Sequence, residues 1–333
     1  MSHRVSASLS VLAAAIAFAA LASVPVVGQS QTASAGKKAG AWTPARTPWG
    51  DPDLQGQWTN TTMTRLERPD ELKGKAVFTD EELAEQNKAA RLNIDRPPRA
   101  GDTGVYNNFW LDRGQLNKRT SLVMDPPDGK LPPLTPEGQK RNATLLEVTK
   151  RSPADGPESR NLYERCITRG MPGAMMPGFY NHNYHILQTP GYVVIQVEMI
   201  HDARIIPLDG RPHLDKGIGQ WLGDSRGHWD GNTLVVETTN LKDVNRTNAS
   251  SSLVFGTSGE MSRVVERFTR VSADAIDYQV TVDDPVTYSK PWTAMIPMSK
   301  LEGGMFEYAC QEGNYALPNI LAGARAQEKR PTN

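Results

Sequence analysis

From residue 184 onward the chain offers eight short runs rich in Val, Ile, Tyr, Phe and Thr, at 184–188, 192–200, 204–208, 233–240, 263–271, 275–283, 292–298 and 305–310. Thr-Pro-Gly, Asp-Gly, Asp-Gly-Asn, Ser-Ala-Asp and Gly-Gly separate them, the residue types that supply tight turns. No helical pattern intervenes, so consecutive runs can pair only as hairpins, and an antiparallel meander follows. An open meander leaves two unpaired edges, which closure into a barrel removes. The expected fold is therefore mainly β: a single antiparallel barrel or strongly curved sheet.

Residues 42–180 read differently, as a Pro-punctuated, largely polar arm with helices. Thr79-Asp80-Glu81-Glu82 has the capping-box spacing and opens a helix to about Leu92. Thr135-Pro136 starts another through Leu145, Leu146 and Val148. Residues 119–124 form a strand pattern that Asp125-Pro126-Pro127-Asp128-Gly129 stops. After the meander of 181–333, residues 317–328 give a C-terminal helix. The arm and the meander are read together as one β-rich domain, 42–333.

The start of the chain has Arg4, an apolar stretch from Val11 to Ala22 and then small residues, the layout of a secretory signal peptide over 1–28, with cleavage as late as residue 35. Residues 29–41, rich in Gln, Ser, Ala, Gly and Lys, form a disordered linker. These features point to a periplasmic or secreted protein. The apolar run is shorter than the ~20 residues a spanning helix needs, and the mature chain shows no integral membrane segment. Cys166 and Cys310, an even count in a chain bound for an oxidising compartment, are expected to form a disulfide. Lys+Arg and Asp+Glu both total 37, so no basic surplus advertises nucleic acid.

Several motifs carry chemistry. Gly223-Asp224-Ser225-Arg226-Gly227 fits the G-x-S-x-G pattern, but a nucleophile elbow requires a helix after the serine. Here a strand follows, so the segment reads as a polar turn or hairpin arm. Five of the six histidines (His182, His185, His201, His213 and His228) lie close together without a metal-ligand frame, and no metal or other cofactor is assigned. Glu198, His201 and Asp202 are the candidate catalytic set, because an imidazole beside carboxylates is suited to acid/base work near neutral pH. Alternation after Tyr192 places His201-Asp202 at a hairpin tip. Arg204, Arg211 and Arg226, with Glu237 on a neighbouring run, are candidate substrate-binding groups.

Gly56-Gln57-Trp58 after Asp53-Leu54 resembles the G-x-W opening of lipocalin-type barrels, where the Trp plugs the barrel end; an ordinary aromatic in an opening strand is the alternative. The expected architecture is lipocalin-like in that sense. Longer motifs resemble a large family of exported bacterial proteins of unassigned function. They are Pro48-Trp49-Gly50-Asp51-Pro52-Asp53-Leu54-Gln55-Gly56, then Ser121-Leu122-Val123-Met124-Asp125-Pro126-Pro127-Asp128-Gly129, and then Met199-Ile200-His201-Asp202-Ala203-Arg204-Ile205-Ile206-Pro207-Leu208-Asp209-Gly210-Arg211-Pro212. The resemblance continues through Gly223-Asp224-Ser225-Arg226-Gly227 and Asp283-Asp284-Pro285 to Glu307-Tyr308-Ala309-Cys310. It implies a signal peptide and a single β-rich body, and brings no assigned activity. The chain departs from it at Gln311, where histidine is usual.

The functional expectation is a polar-rimmed pocket for an organic small molecule. As an enzyme it would be a cofactor-independent hydrolase, lyase or isomerase, with His201 as acid or base, oriented by Asp202 or Glu198. The alternatives are a non-catalytic periplasmic binding protein and a structural envelope protein. Oligomeric state is not legible in the sequence.

Overall fold

A computed structural model describes the chain over residues 42–94, 111–151, 154–244, 253–259 and 261–329; the expected signal peptide and the linker at 29–41 lie outside the described residues. Residues of the unit beginning at Trp42 build a mainly β structure around a sheet of ten strands. These are β1 (Gly56–Thr59), β2 (Val123–Asp125), β3 (Asn183–Thr189), β4 (Tyr192–Val197), β5 (Ala203–Pro207), β6 (Asp224–Asp230), β7 (Thr233–Thr239), β8 (Arg263–Ser272), β9 (Ala275–Asp283) and β10 (Trp292–Lys300). The helices are α1 (Asp80–Ile94), α2 (Pro136–Arg151) and α3 (Ala316–Glu328).

Period-two alternation sets the strands. In β9, Ile276, Tyr278, Val280 and Val282 are all buried, and in β4 so are Val193, Ile195 and Val197. Gly191 and Gly231 take positive φ where β3 turns into β4 and β6 into β7, a conformation that glycine adopts without steric cost. The capping box at α1 forms as read: the Thr79 amide donates to Glu82 Oε2 (2.9 Å), and the Glu82 amide donates to Thr79 Oγ1 (3.2 Å). At α2 the Gly138 amide donates to Thr135 Oγ1 at 3.0 Å.

The sheet runs β5-β4-β3-β1-β10-β9-β8-β7-β6, with β2 paired to β10 off this path. Every neighbouring pair is antiparallel. The path has an odd number of members, so its end strands, β5 and β6, point the same way. Closing the barrel therefore brings two parallel strands together, and no ladder joins them. Contact is made by side chains instead. A Cβ at Gly227 would lie 2.9 Å from Ile206 and 2.7 Å from Leu208, so a larger residue there would push these side chains aside. The result is a nearly closed barrel with a seam.

Parallel neighbours need a crossover instead of a tight turn. Residues 208–223 supply it, so Asp209-Gly210, expected as a hairpin turn, opens a crossover. Other elements differ from expectation, among them β6, which is not one of the eight runs. β1, from the arm, is inserted between β3 and β10. Residues 305–310 are not a strand: the Phe306 amide is taken by the Glu198 carboxylate (3.0 Å), and Phe306 itself is exposed, so neither ladder nor alternation is present.

Bulky side chains fill the core. Trp58, Tyr184, Phe268 and Tyr278 are fully buried, with Met171 and Met175 of an irregular segment packed against them. Phe268 and Tyr278 stack at 4.8 Å between ring centroids. Each such burial is worth roughly 1.5–3 kcal/mol. The Trp58 indole donates to the Leu54 carbonyl at 3.1 Å, and the Arg270 guanidinium lies 5.2 Å above its ring. Cys166 and Cys310 are joined in a disulfide. No helix among the described residues is long and apolar enough to cross a membrane.

Candidate functional site

At the level of Gly227 the seam is shut by Ile206 and Leu208, but towards the start of β5 and β6 a cleft of about 510 Å³ lies between them. Ala203, Arg204 and Ile205 line one side, Gly223, Asp224 and Ser225 the other, and Gln220, Trp221 and Lys242 contribute to its wall. The volume is that of a small-molecule site. Lys242 Nζ stands 4.5 Å over the Trp221 ring, giving the wall a flat apolar surface with a cation on it.

Arg204 connects the cleft to the core. Its side chain is buried and pairs with both carboxylate oxygens of buried Glu266, Nη1 with Oε1 at 2.9 Å and Nη2 with Oε2. The Tyr278 hydroxyl also donates to Glu266 Oε1, at 3.0 Å. Ser225 Oγ and Thr238 Oγ1 each lie 3.4 Å from Arg204 Nη2 and 2.9 Å from each other. The Glu266 charge keeps Arg204 protonated against the opposing effect of burial. Arg204 Nε is buried and has no acceptor. Among the described residues the hydrogen-bond partners of Ser225 Oγ are Thr238 and Arg204, and Ser225 lies in a strand, which matches its reading as part of a hairpin arm.

The other expected site residues lie in three further places. Asp224 and Arg226 are joined at 2.6 Å, and Asp224 Oδ2 also receives the Leu214 amide (3.0 Å) and meets His213 Nδ1 (2.9 Å). Glu237, the register partner of Arg226, completes this group through His213 Nε2 (3.3 Å) and Arg263 (3.0 Å). The cluster ties the crossover to β6, β7 and β8. Arg211 pairs with Asp209 and reaches the Tyr192 hydroxyl (3.0 Å), all at the surface.

Glu198, His201 and Asp202 occupy the β4–β5 connection, each with its own hydrogen-bond partner. Glu198 is buried and receives the Asn183 side-chain amide (2.6 Å) as well as the Phe306 amide. His201 is exposed, and its Nδ1 contacts the Tyr308 carbonyl at 3.0 Å. A carbonyl can only accept, so Nδ1 carries the proton. Ile200 and His201 both have positive φ, a strained backbone for such residues.

Burial pushes the Asp202 carboxyl up to about 6, against the opposing pull of His201 and a hydrogen bond with Thr168. A carboxylate with a raised folded-state pKa favours folding below its unfolded value near 4 and loses that contribution as pH rises through about 6. Asp202→Asn is therefore expected to raise stability at pH 7 by about 1 kcal/mol, solvent screening having reduced the effect at this partly exposed position. The gain should vanish by about pH 4, as urea unfolding across this range would show.

Neither a scan against protein-family models nor a search of curated proteins finds a match to this chain. The partner that sequence reasoning missed, Glu266, had a signal. In β8 the inward positions are Val264, Glu266 and Phe268, so a carboxylate stands where the pattern demands an apolar residue. Arg204 stands in the same way beside Ile206 in β5. Two opposite charges on inward faces of separate strands announce a buried pair. Trp221 and Lys242 belong to aperiodic segments and carried no such mark.

Proposed function

We propose that this is an exported β-barrel protein that binds an organic small molecule bearing an acidic group, without converting it, in the seam cleft. One observation carries the reading: a cleft of ligand size is lined by Arg204, whose buried Nε lacks an acceptor, with Lys242 and Trp221 in its wall. Ionised donors withheld from water make strong, directional hydrogen bonds to a carboxylate. The charge of Asp224 is already matched by Arg226, so the wall's remaining charge is the Lys242 cation. Export is supported by the layout of residues 1–28 and by the disulfide, and membership of the exported family by the motifs already given.

The test is a library of aromatic and aliphatic carboxylates, each paired with its neutral amide, followed by Trp fluorescence and mass spectrometry of recovered compounds. Carboxylates are expected to bind saturably and return unchanged. Lys242→Glu is expected to weaken them by about tenfold or more. Absence of any saturable ligand, or equal binding by the Lys242→Glu protein, would overturn the reading. The raised Asp202 carboxyl beside His201 favours a second reading, acid/base catalysis at the β4–β5 connection. Chemical conversion that disappears in His201→Gln would establish that reading instead.

A further inference from the structure

His213, on the crossover at 208–223, sits between two carboxylates. Its Nδ1 lies 2.9 Å from Asp224 Oδ2 on β6, and its Nε2 lies 3.3 Å from Glu237 Oε1 on β7. An ionised carboxylate only accepts hydrogen bonds, and a neutral imidazole has a single N–H. Both contacts are therefore hydrogen bonds only when the ring carries its second proton. A neutral ring keeps one of them, and its bare nitrogen then faces the lone pairs of the other carboxylate. The ring is 24% exposed, and partial withdrawal from water strengthens both contacts.

The other charged groups around the ring have partners of their own. Arg226 joins Asp224 at 2.6 Å, Arg263 joins Glu237 at 3.0 Å, and Asp283 of β9 stands 4.0 Å from Arg263. Along the crossover, Asp209 pairs with Arg211, and Asp215 Oδ1 accepts the Gly217 amide (2.9 Å). A proton on His213 therefore changes the net charge of the group by one. The crossover is also held by bonds that do not involve the ring. Asn240 Nδ2 donates to the Asp215 carbonyl (2.6 Å), the Gln220 amide donates to the Asn240 carbonyl (2.8 Å), and Arg226 Nε donates to the Pro212 carbonyl (3.1 Å). What varies with the proton is thus one tie and one charge.

Asp224 is at once a partner of His213 and a lining residue of the seam cleft. We propose that His213 is a positioning residue for that cleft: as an imidazolium it bridges Asp224 and Glu237 and adds a positive charge beside the cleft wall, so that an acidic ligand is held more tightly at mildly acidic than at alkaline pH. The inference rests on the seam reading and adds to it a dependence on pH. With Arg226, the Leu214 amide and the charged ring all donating to it, the Asp224 carboxylate repels an incoming anion less. An imidazole changes its charge between about pH 5 and 8. A second group acts in the same direction. Asp202 precedes the cleft-lining Ala203, and burial raises its carboxyl to about 6, so it too becomes negative over this range. Asp202→Asn removes that contribution and leaves the one from His213.

The experiment is calorimetric titration of the full chain with benzoate at about pH 5.5 and about pH 8, on either side of the imidazole range, at low, constant ionic strength. Benzamide is the neutral control. Benzoate affinity is expected to fall by about threefold or more between the two pH values, in the wild type and in Asp202→Asn alike. His213→Gln should bind at the weaker level at both. His213→Lys, which keeps a cation with several donors, should bind at the tighter level at both, a rescue that a packing role would not give. Without ligand, protection of the Leu214 amide from hydrogen exchange should fall over the same range in the wild type and stay constant in His213→Lys. Equal benzoate affinity at both pH values, or a change that persists in His213→Gln, would overturn the role of His213 and leave the seam reading intact. Absence of saturable benzoate binding at both would tell against the seam reading itself, and the proposal would fall with it.

Discussion

Arg204→Met is expected to destabilise the fold by about 3–5 kcal/mol, because it leaves the Glu266 carboxylate inside the barrel with no counter-ion. Glu266 is fully buried, and its remaining donor, the Tyr278 hydroxyl at 3.0 Å, cannot neutralise it. The companion variant, Arg204→Met with Glu266→Gln, removes both charges and keeps an acceptor for Tyr278. Most of the lost stability should return in it. Urea unfolding of the wild type, both single variants and the pair gives the coupling directly. A single-variant loss below about 1 kcal/mol would mean that water reaches the pair through the seam and solvates the orphaned carboxylate.

Replacing Cys166 and Cys310 by serine is expected to cost about 2–5 kcal/mol, since the bridge closes a loop with a sequence separation of 144. The loss should be uneven along the chain. α3 has no buried residue, so it contributes little apolar burial. The ties that hold the chain after β10 include the disulfide, the Glu198 bond to the Phe306 amide, His201 on the Tyr308 carbonyl, the Asn314 side chain on the Glu164 carbonyl (2.8 Å), and Arg325 on the carbonyls of Ala154 and Asp155. Limited proteolysis should therefore cut residues 305–329 of the reduced or serine protein while the barrel strands stay protected. Equal protection of that segment in both proteins would contradict this account.

The elements were legible wherever one local rule decided them. Alternation marked β9, the Thr79 and Glu82 pair marked the start of α1, and the even cysteine count marked the bridge. What escaped is set by relations between distant segments. That β1 enters the sheet between β3 and β10 depends on pairing partners far along the chain, which periodicity does not encode. Residues 305–310 look like a strand because Tyr308 and Phe306 favour one, yet Glu198 captures the amide that a ladder would need. The candidate site divides in the same way. Arg204 was visible as an arginine in an apolar run, but its placement beside a cleft follows from the parallel meeting of β5 and β6. Glu198, His201 and Asp202 are neighbours in sequence, but the positive φ values at Ile200 and His201 are not written in any periodicity.

The odd number of strands on the path has a further consequence. A ring with an even count is stitched all round by main-chain rungs, so changing the mouth of such a barrel means disturbing a rung. Here the crossover at 208–223 bridges a join that has none. A change in the crossover can therefore reshape the opening while every stave of the barrel keeps its register.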